Sequence, residues 1–207
     1  YIMRLLDLFT GTGSIANHAR ELGYEVTTLD LSGADINIDV LEWDYTQYPV
    51  GHFDVIWASP PCTYFSNARC ANIGRHGITK ETMEQDLITK GLPILYKTEK
   101  IIDYFRPSKY WIENPSTGRM KEFVNRPYYI LDYCMYGFPC RKRTQLWTNV
   151  SGLNARLCDK RCGSFFNNKH LQNTCGGNKT QKGRGGGNSK TNRYEIPEQL
   201  VKQLLSI

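Results

Sequence analysis

Arg4-Leu5-Leu6-Asp7-Leu8-Phe9-Thr10-Gly11-Thr12-Gly13 begins as a short apolar run, turns through two glycines and gives way to a helical pattern from Ser14 to Leu22. An apolar run of that length, closed by glycine, reads as a buried strand running into a helix N-terminus. Glycines at such a turn let a ligand approach the backbone, and the helix dipole favours a negative group beside it. The next strand-like stretch, Tyr24 to Leu29, ends at Asp30, an acid placed to accept hydrogen bonds from ribose hydroxyls. A tight turn without a ligand would use the same glycines. The third glycine of the dinucleotide fingerprint has no counterpart, which argues against NAD or FAD.

Strand and helix continue to alternate outward from this stretch. A weaker strand is expected around Ala34 to Ile38, a fourth from Asp54 to Ala58, and a long helix from Thr82 to Phe105 with a kink at Pro93. Lys109 to Ile112 reads as a fifth strand, stopped at Glu113-Asn114-Pro115, and Tyr128 to Cys134 with Gln145 to Val150 as a terminal pair. This repetition predicts an α/β fold with a mostly parallel sheet and helices on both faces. Residues 151–193 are polar, basic and rich in glycine and asparagine, and are expected to form loops or a small irregular module. Ile196-Pro197-Glu198 then opens a last helix.

Composition narrows the function. At 207 residues with 40% hydrophobic and 22% charged residues, the chain suits one soluble domain. No apolar stretch is long enough for a bilayer and no signal-peptide pattern opens the chain, so a cytoplasmic protein with reduced thiols is expected from its seven cysteines. The net charge of +6 is unevenly spread. Residues 141–193 hold twelve Lys and Arg against one acid, Asp159, whereas the rest holds fourteen bases against nineteen acids. Such a basic segment is either a solvated tail or the footprint of a polyanion.

Ser59-Pro60-Pro61-Cys62 follows the fourth strand directly and sets a cysteine at its mouth behind two stiff prolines. Glu113 ends the neighbouring strand, and strand C-termini in such sheets share one crevice. An enclosed carboxyl group of this kind can keep its proton and hydrogen-bond a heterocycle. Arg141 and Arg143 could supply fixed donors to a carbonyl or phosphate. Each also has an ordinary role open to it: a small buried residue, a cap, a solvated edge.

Taken together, Phe9-Thr10-Gly11-Thr12-Gly13, Ser59-Pro60-Pro61-Cys62, Glu113-Asn114-Pro115 and Arg141-Lys142-Arg143, in that order, resemble the motifs of the cytosine-5 DNA methyltransferases, here a short, phage-type member without a full target-recognition domain. The resemblance implies a Rossmann-like class I methyltransferase fold with a terminal antiparallel strand. It divides the chain into an S-adenosylmethionine-dependent catalytic domain (3–150), a reduced, basic target-recognition segment (151–193) and a C-terminal helix packing back on the catalytic domain (194–207).

It further implies S-adenosylmethionine bound by Asp7, Phe9, Gly11, Gly13 and Pro60, with Asp30 on the ribose, Leu31, Asp39 and Val40 around the adenine, and Asn188 in a closing Gly-Asn-Ser element. Cys62 would add to carbon-6 of a flipped-out cytosine, Glu113 would hydrogen-bond its ring edge, and Arg143, supported by Arg141, would contact the base carbonyl. Double-stranded DNA is the implied partner, with no membrane and no obligate protein partner, acted on in a prokaryotic or phage-infected cell. Two positions depart from the family pattern: Pro139 stands where a glutamine is usual and Pro115 where valine is common. Cytosine-5 methylation of RNA or of a free nucleotide, and a catalytically silent nucleic-acid-binding module, are the alternatives.

Cys158, Cys162, His170 and Cys175, spaced C-x3-C-x7-H-x4-C, form a candidate structural zinc set inside the basic segment. A glycine-rich segment with little core of its own would gain most from such a staple.

Overall fold

A computed structural model describes residues 1–75, 77–172 and 194–207. Strands β1 (Arg4–Leu8), β2 (Glu25–Asp30), β3 (Ile36–Asn37), β4 (Val55–Ala58), β5 (Lys109–Pro115), β6 (Tyr128–Asp132) and β7 (Arg143–Thr148) form one sheet in the order β3-β2-β1-β4-β5-β7-β6. The pairs β1–β2, β1–β4, β2–β3 and β4–β5 are parallel; β7 runs antiparallel between β5 and β6. This is the Rossmann-like α/β architecture with its single reversed strand. Consecutive residues face opposite sides of a strand, so apolar runs such as Leu5-Leu6 supply both faces at once. Leu6, Leu8, Ile56 and Ile112 pack with helix α3 (Leu92–Phe105) on one face. Leu5, Val55, Trp57 and Trp111 pack on the other with helices α1 (Ser14–Glu21) and α4 (Glu198–Leu205). Each fully buried leucine contributes about 2 kcal/mol of transfer free energy.

The helix expected from Thr82 is interrupted earlier than the proline suggested. It begins as α2 (Lys80–Asp86), widens into a π turn at Leu87–Gly91 and resumes as α3 with Pro93 in its first turn. Proline offers no amide to the carbonyl four residues back and its ring crowds that carbonyl, so the preceding turn opens instead of bending sharply. Gly91, in that turn, lies so close to the 62–65 segment that a Cβ there would stand 3.0 Å from Tyr64 Cβ.

β5 runs three residues beyond the predicted Ile112 stop, because Glu113, Asn114 and Pro115 are paired with Leu146, Gln145 and Thr144 of β7. The terminal strand expected to reach Cys134 ends at Asp132, and Tyr133–Tyr136 coil into a 3-10 turn closed by Gly137 at φ 89°. Within 151–172 a two-stranded hairpin forms from β8 (Phe165–Phe166) and β9 (Lys169–His170). Among the described residues Cys62, Cys70, Cys134, Cys158 and Cys162 are reduced thiols and Cys140 is disulfide-bonded, against the expectation of reduced thiols throughout. No helix among the described residues is long and apolar enough to cross a membrane.

Candidate active site

The C-terminal ends of β1, β2, β4 and β5 open into one cavity of about 610 Å³, at the edge where ligands sit in open α/β sheets. At one end lies the glycine turn. Phe9, Gly11 and Gly13 all hold left-handed backbone, at φ 62°, 52° and 73°. For Phe9 that conformation is strained, and it is held by the bond from its amide to Leu29 O at 2.8 Å. The Gly11 amide donates to Asp30 Oδ2 at 2.9 Å, and the Leu31 amide to Asp30 Oδ1 at 2.7 Å. Asp30 thereby clamps the turn of β1 to the end of β2, and it lines the cavity. Gly13 is not itself among the lining residues; a Cβ there would meet Asn17 Nδ2 at 3.3 Å, so it serves the packing of α1.

Asp7 lies beneath this turn, 1% exposed. Loss of solvent pushes its carboxyl up to about 7, against the opposing hydrogen bonds from Thr10 Oγ1 (2.7 Å) and the Ala16 amide. Leu31 and Val40 add apolar wall, the first exposed and the second buried, and Asp39 caps its own turn by accepting from the Leu41 amide at 2.9 Å.

At the other end, Pro60, Pro61 and Cys62 line the cavity where β4 stops, and Cys62 starts a 3-10 turn ending at Phe65. Asn114 locks this loop. Its Nδ2 donates to Pro60 O at 3.0 Å, while its Oδ1 is buried without a hydrogen-bond partner among the described residues, leaving one acceptor at the cavity wall. Asn67 Nδ2 to Thr117 O (2.8 Å) and the Arg119 amide to Phe65 O (2.8 Å) lace the same loop to the chain after β5.

Glu113 is 6% exposed and shares the cavity with Cys62. Its surroundings are not purely apolar. Tyr133 Oη donates to Glu113 Oε1 at 3.1 Å and Lys142 Nζ pairs with the same oxygen at 3.2 Å. Burial, and then the Glu113 charge beside it, raise the Tyr133 phenol well above its usual range, so it stays a donor. Lys142 also lies over the Tyr133 ring, 4.7 Å from its centroid. Neither residue was legible as a partner of Glu113, because only the β5–β7–β6 pairing brings the three together.

The two arginines divide. Arg141 lines the cavity beside Lys142, whereas Arg143, which opens β7, is absent from the lining and is bound to Asp132. The register sets Asp132 directly opposite Arg143, and the carboxylate takes two hydrogen bonds from it, from Nε at 3.0 Å and Nη2 at 2.9 Å. Arg141 Nε reaches the same carboxylate at 3.4 Å. Burial would raise Asp132, but the Arg143 bonds, the Cys158 amide and both guanidinium charges hold it below the usual carboxylate range. Two further lining residues, Tyr194 and Ile196, come from the chain before α4; the Ile196 amide donates to Ser14 Oγ at 3.3 Å. No sequence pattern marked them.

Three of the four expected metal ligands, Cys158, Cys162 and His170, converge, and the fourth position is filled by Cys134. Cys175 and Asn188 lie outside the described residues.

No family model matches the chain. A protein of Frog virus 3 (isolate Goorha) named probable DNA (cytosine-5)-methyltransferase is 43% identical over 217 aligned positions, which span 99% of this chain and all of the viral one. The chain belongs to the DNA (cytosine-5)-methyltransferase family. The alignment runs over the whole length of the viral relative. Among solved structures, the Entamoeba histolytica methyltransferase EhMeth superposes with a TM-score of 0.50 at 14% identity, over 74% of this chain and 55% of that one. S. pombe Dnmt2 gives 0.47 at 14% identity, over 73% and 52%. The chain therefore spans about half the length of these two solved methyltransferases, and the likeness to EhMeth concerns the fold.

Proposed function

We propose that this protein transfers a methyl group from S-adenosylmethionine to carbon-5 of a cytosine in DNA, by way of a covalent adduct between Cys62 and carbon-6. One observation carries the reading: a single cavity has the glycine turn at one end and Cys62 with Glu113 at the other. Support for the substrate comes from the viral relative, whose name specifies DNA and cytosine-5.

The residues at the turn fit the cofactor. Left-handed backbone at Gly11 exposes the chain to close approach, the Asp30 carboxylate offers acceptors suited to ribose hydroxyls, and Leu31 and Val40 supply apolar surface for a purine. When bound, S-adenosylmethionine supplies an electrophilic methyl on a sulfonium. Everything else falls to the protein and the base.

A cytosine stacked in a duplex hides its ring carbons, so the base must leave the stack to reach Cys62. The Asn114–Pro60 bond holds the Cys62 loop for attack. The Cys62 thiolate forms a bond to carbon-6, and the electron pair of the 5,6 double bond moves to carbon-5, delocalised toward ring nitrogen-3. Glu113, held by Tyr133 and Lys142 on one oxygen, donates a carboxyl proton to that nitrogen as charge develops there and accepts from the exocyclic amine. Carbon-5 then takes the methyl. Transfer of the carbon-5 proton to solvent water returns an electron pair that rebuilds the double bond and expels Cys62 as thiolate. Arg141, which lines the cavity, would meet the base carbonyl or an adjacent phosphate, with Arg143 supporting it through Asp132. Lys160, Arg161 and Lys169 stand exposed in the basic segment and would take the DNA backbone, so binding should weaken steeply with salt.

Nucleoside mass spectrometry on double-stranded DNA incubated with the protein and S-adenosylmethionine tests this. New 5-methylcytosine that falls by at least about 10⁴-fold in Cys62→Ala, with cofactor binding retained, is the expected result. Folded, cofactor-binding protein that leaves DNA unmodified would refute it; 5-methylcytosine in RNA or nucleotide controls would redirect the substrate.

A further inference from the structure

Outside the cavity, one cluster has the chemistry of a built site. Cys134 sits in the 3-10 turn after β6, Cys158 and Cys162 flank a short turn, and His170 ends the β8–β9 hairpin. Their ligand atoms all lie within 4.8 Å of one another; Cys158 Sγ is 3.6 Å from Cys162 Sγ and 3.4 Å from His170 Nε2. Tetrahedral zinc, with bonds of about 2.3 Å to sulfur and about 2.0 Å to nitrogen, sets its ligands roughly 3.5–3.8 Å apart. These two separations match that. The turn between the first pair is also shaped for it: Lys160 takes left-handed backbone at φ 72°, and its amide donates to Cys158 Sγ at 3.4 Å. The Phe165 ring meets the His170 ring edge-on at 5.1 Å and holds its orientation.

We infer that Cys134, Cys158, Cys162 and His170 bind one structural zinc ion that staples the basic segment to the end of β6. The site reaches the cavity wall through Asp132 and then Arg141. The Cys158 amide donates at 2.8 Å to Asp132 Oδ2, the oxygen that Arg143 and Arg141 also reach. Zinc at this position fixes the backbone of Cys158, and through Asp132 it sets Arg141 at the cavity edge and Arg143 behind it. The metal site stands independently of the methyl-transfer reading.

Protein purified without chelator from zinc-supplemented cells should carry about one zinc per chain by plasma mass spectrometry. Cys158→Ser and His170→Ala should each bring this to background, and Cys70→Ser, at an exposed thiol outside the cluster, should not. Replacing buried Cys134 endangers folding, so the ligand set is also read by cobalt(II) titration of chelator-stripped protein. One equivalent should give the intense visible bands of a tetrahedral thiolate site, and His170→Cys should still bind while shifting those bands. Folded wild-type protein that carries no zinc and gives no cobalt bands would overturn the site. Loss of the metal in Cys175→Ser, with binding kept in Cys134→Ser, would overturn the assignment of the fourth ligand.

Discussion

At the glycine-turn end of the cavity, the inward-facing groups are largely backbone: left-handed Phe9 and Gly11, amides clamped by Asp30, and the start of α1. At the Cys62 end they are side chains drawn from separate stretches, Cys62, Glu113 with Asn114, and Arg141 with Lys142; Tyr133, behind the wall, joins Lys142 on one Glu113 oxygen, and Asn114 holds the Pro60 carbonyl. The first kind of site is written in one contiguous motif and recognises a shape that many ligands share. The second depends on strand register and selects one chemistry. If the division is real, substitutions at one end should leave the other end's measurable property alone.

The largest effect after loss of Cys62 is expected at Glu113. Glu113→Gln keeps the shape but replaces the carboxylate oxygen that Tyr133 and Lys142 share. Methyl transfer should fall by about 10²–10³-fold, with the affinity for S-adenosylmethionine, measured by calorimetry, unchanged. A matching loss of cofactor affinity would show that the two ends are one unit.

Asp7 probes the packing beneath the cofactor end. Its folded-state value of about 7 lies above the unfolded carboxylate value of about 3.9. Below about pH 4 both states hold the proton and nothing is lost. As pH rises from about 4 to about 7 the unfolded chain releases its proton first, and the fold loses stability, by at most about 4 kcal/mol, remaining lower above that window. Asp7→Asn has no proton to release. Urea midpoints at pH 5 and pH 8 should drop for the wild type across the interval and stay level for the variant; parallel behaviour would place the titration elsewhere.

Gly11→Ala is the smallest of the set. An L side chain at φ 52° costs about 1–2 kcal/mol, enough to weaken cofactor binding by about tenfold. Turnover at saturating cofactor should stay near wild type, since the added methyl lies at the turn end. A collapse of turnover with unchanged affinity would reverse the assignment of the two ends.

This contrast also explains what the sequence disclosed. β1, its turn and the Pro-Pro-Cys mouth of β4 were legible because their signals are local: an apolar run, a glycine, a proline. The partners of Glu113 lie 20 and 29 residues away along the chain and become neighbours only through the reversed strand β7. Cys134 reads as the last residue of a strand, because nothing local announces that the chain coils after Asp132. Arg141 and Arg143 are alike as letters, and only the Asp132–Arg143 register separates the residue facing the cavity from the one anchored behind it. The break in the long helix is displaced for a similar reason: proline marks where an amide is missing, while the turn before it absorbs the strain.

The bond from Tyr24 Oη to Leu205 O joins positions 181 residues apart, and Leu200, Val201 and Leu204 cover the face of the sheet that α1 shares. During synthesis the α3 face can close once β5 has emerged, but the α4 face must wait until residues beyond 200 clear the ribosome. Until then Val55, Trp57 and Trp111 have only a partial cover. The nascent chain therefore carries a window of apolar surface until α4 packs, and chaperone occupancy should persist until that helix has emerged.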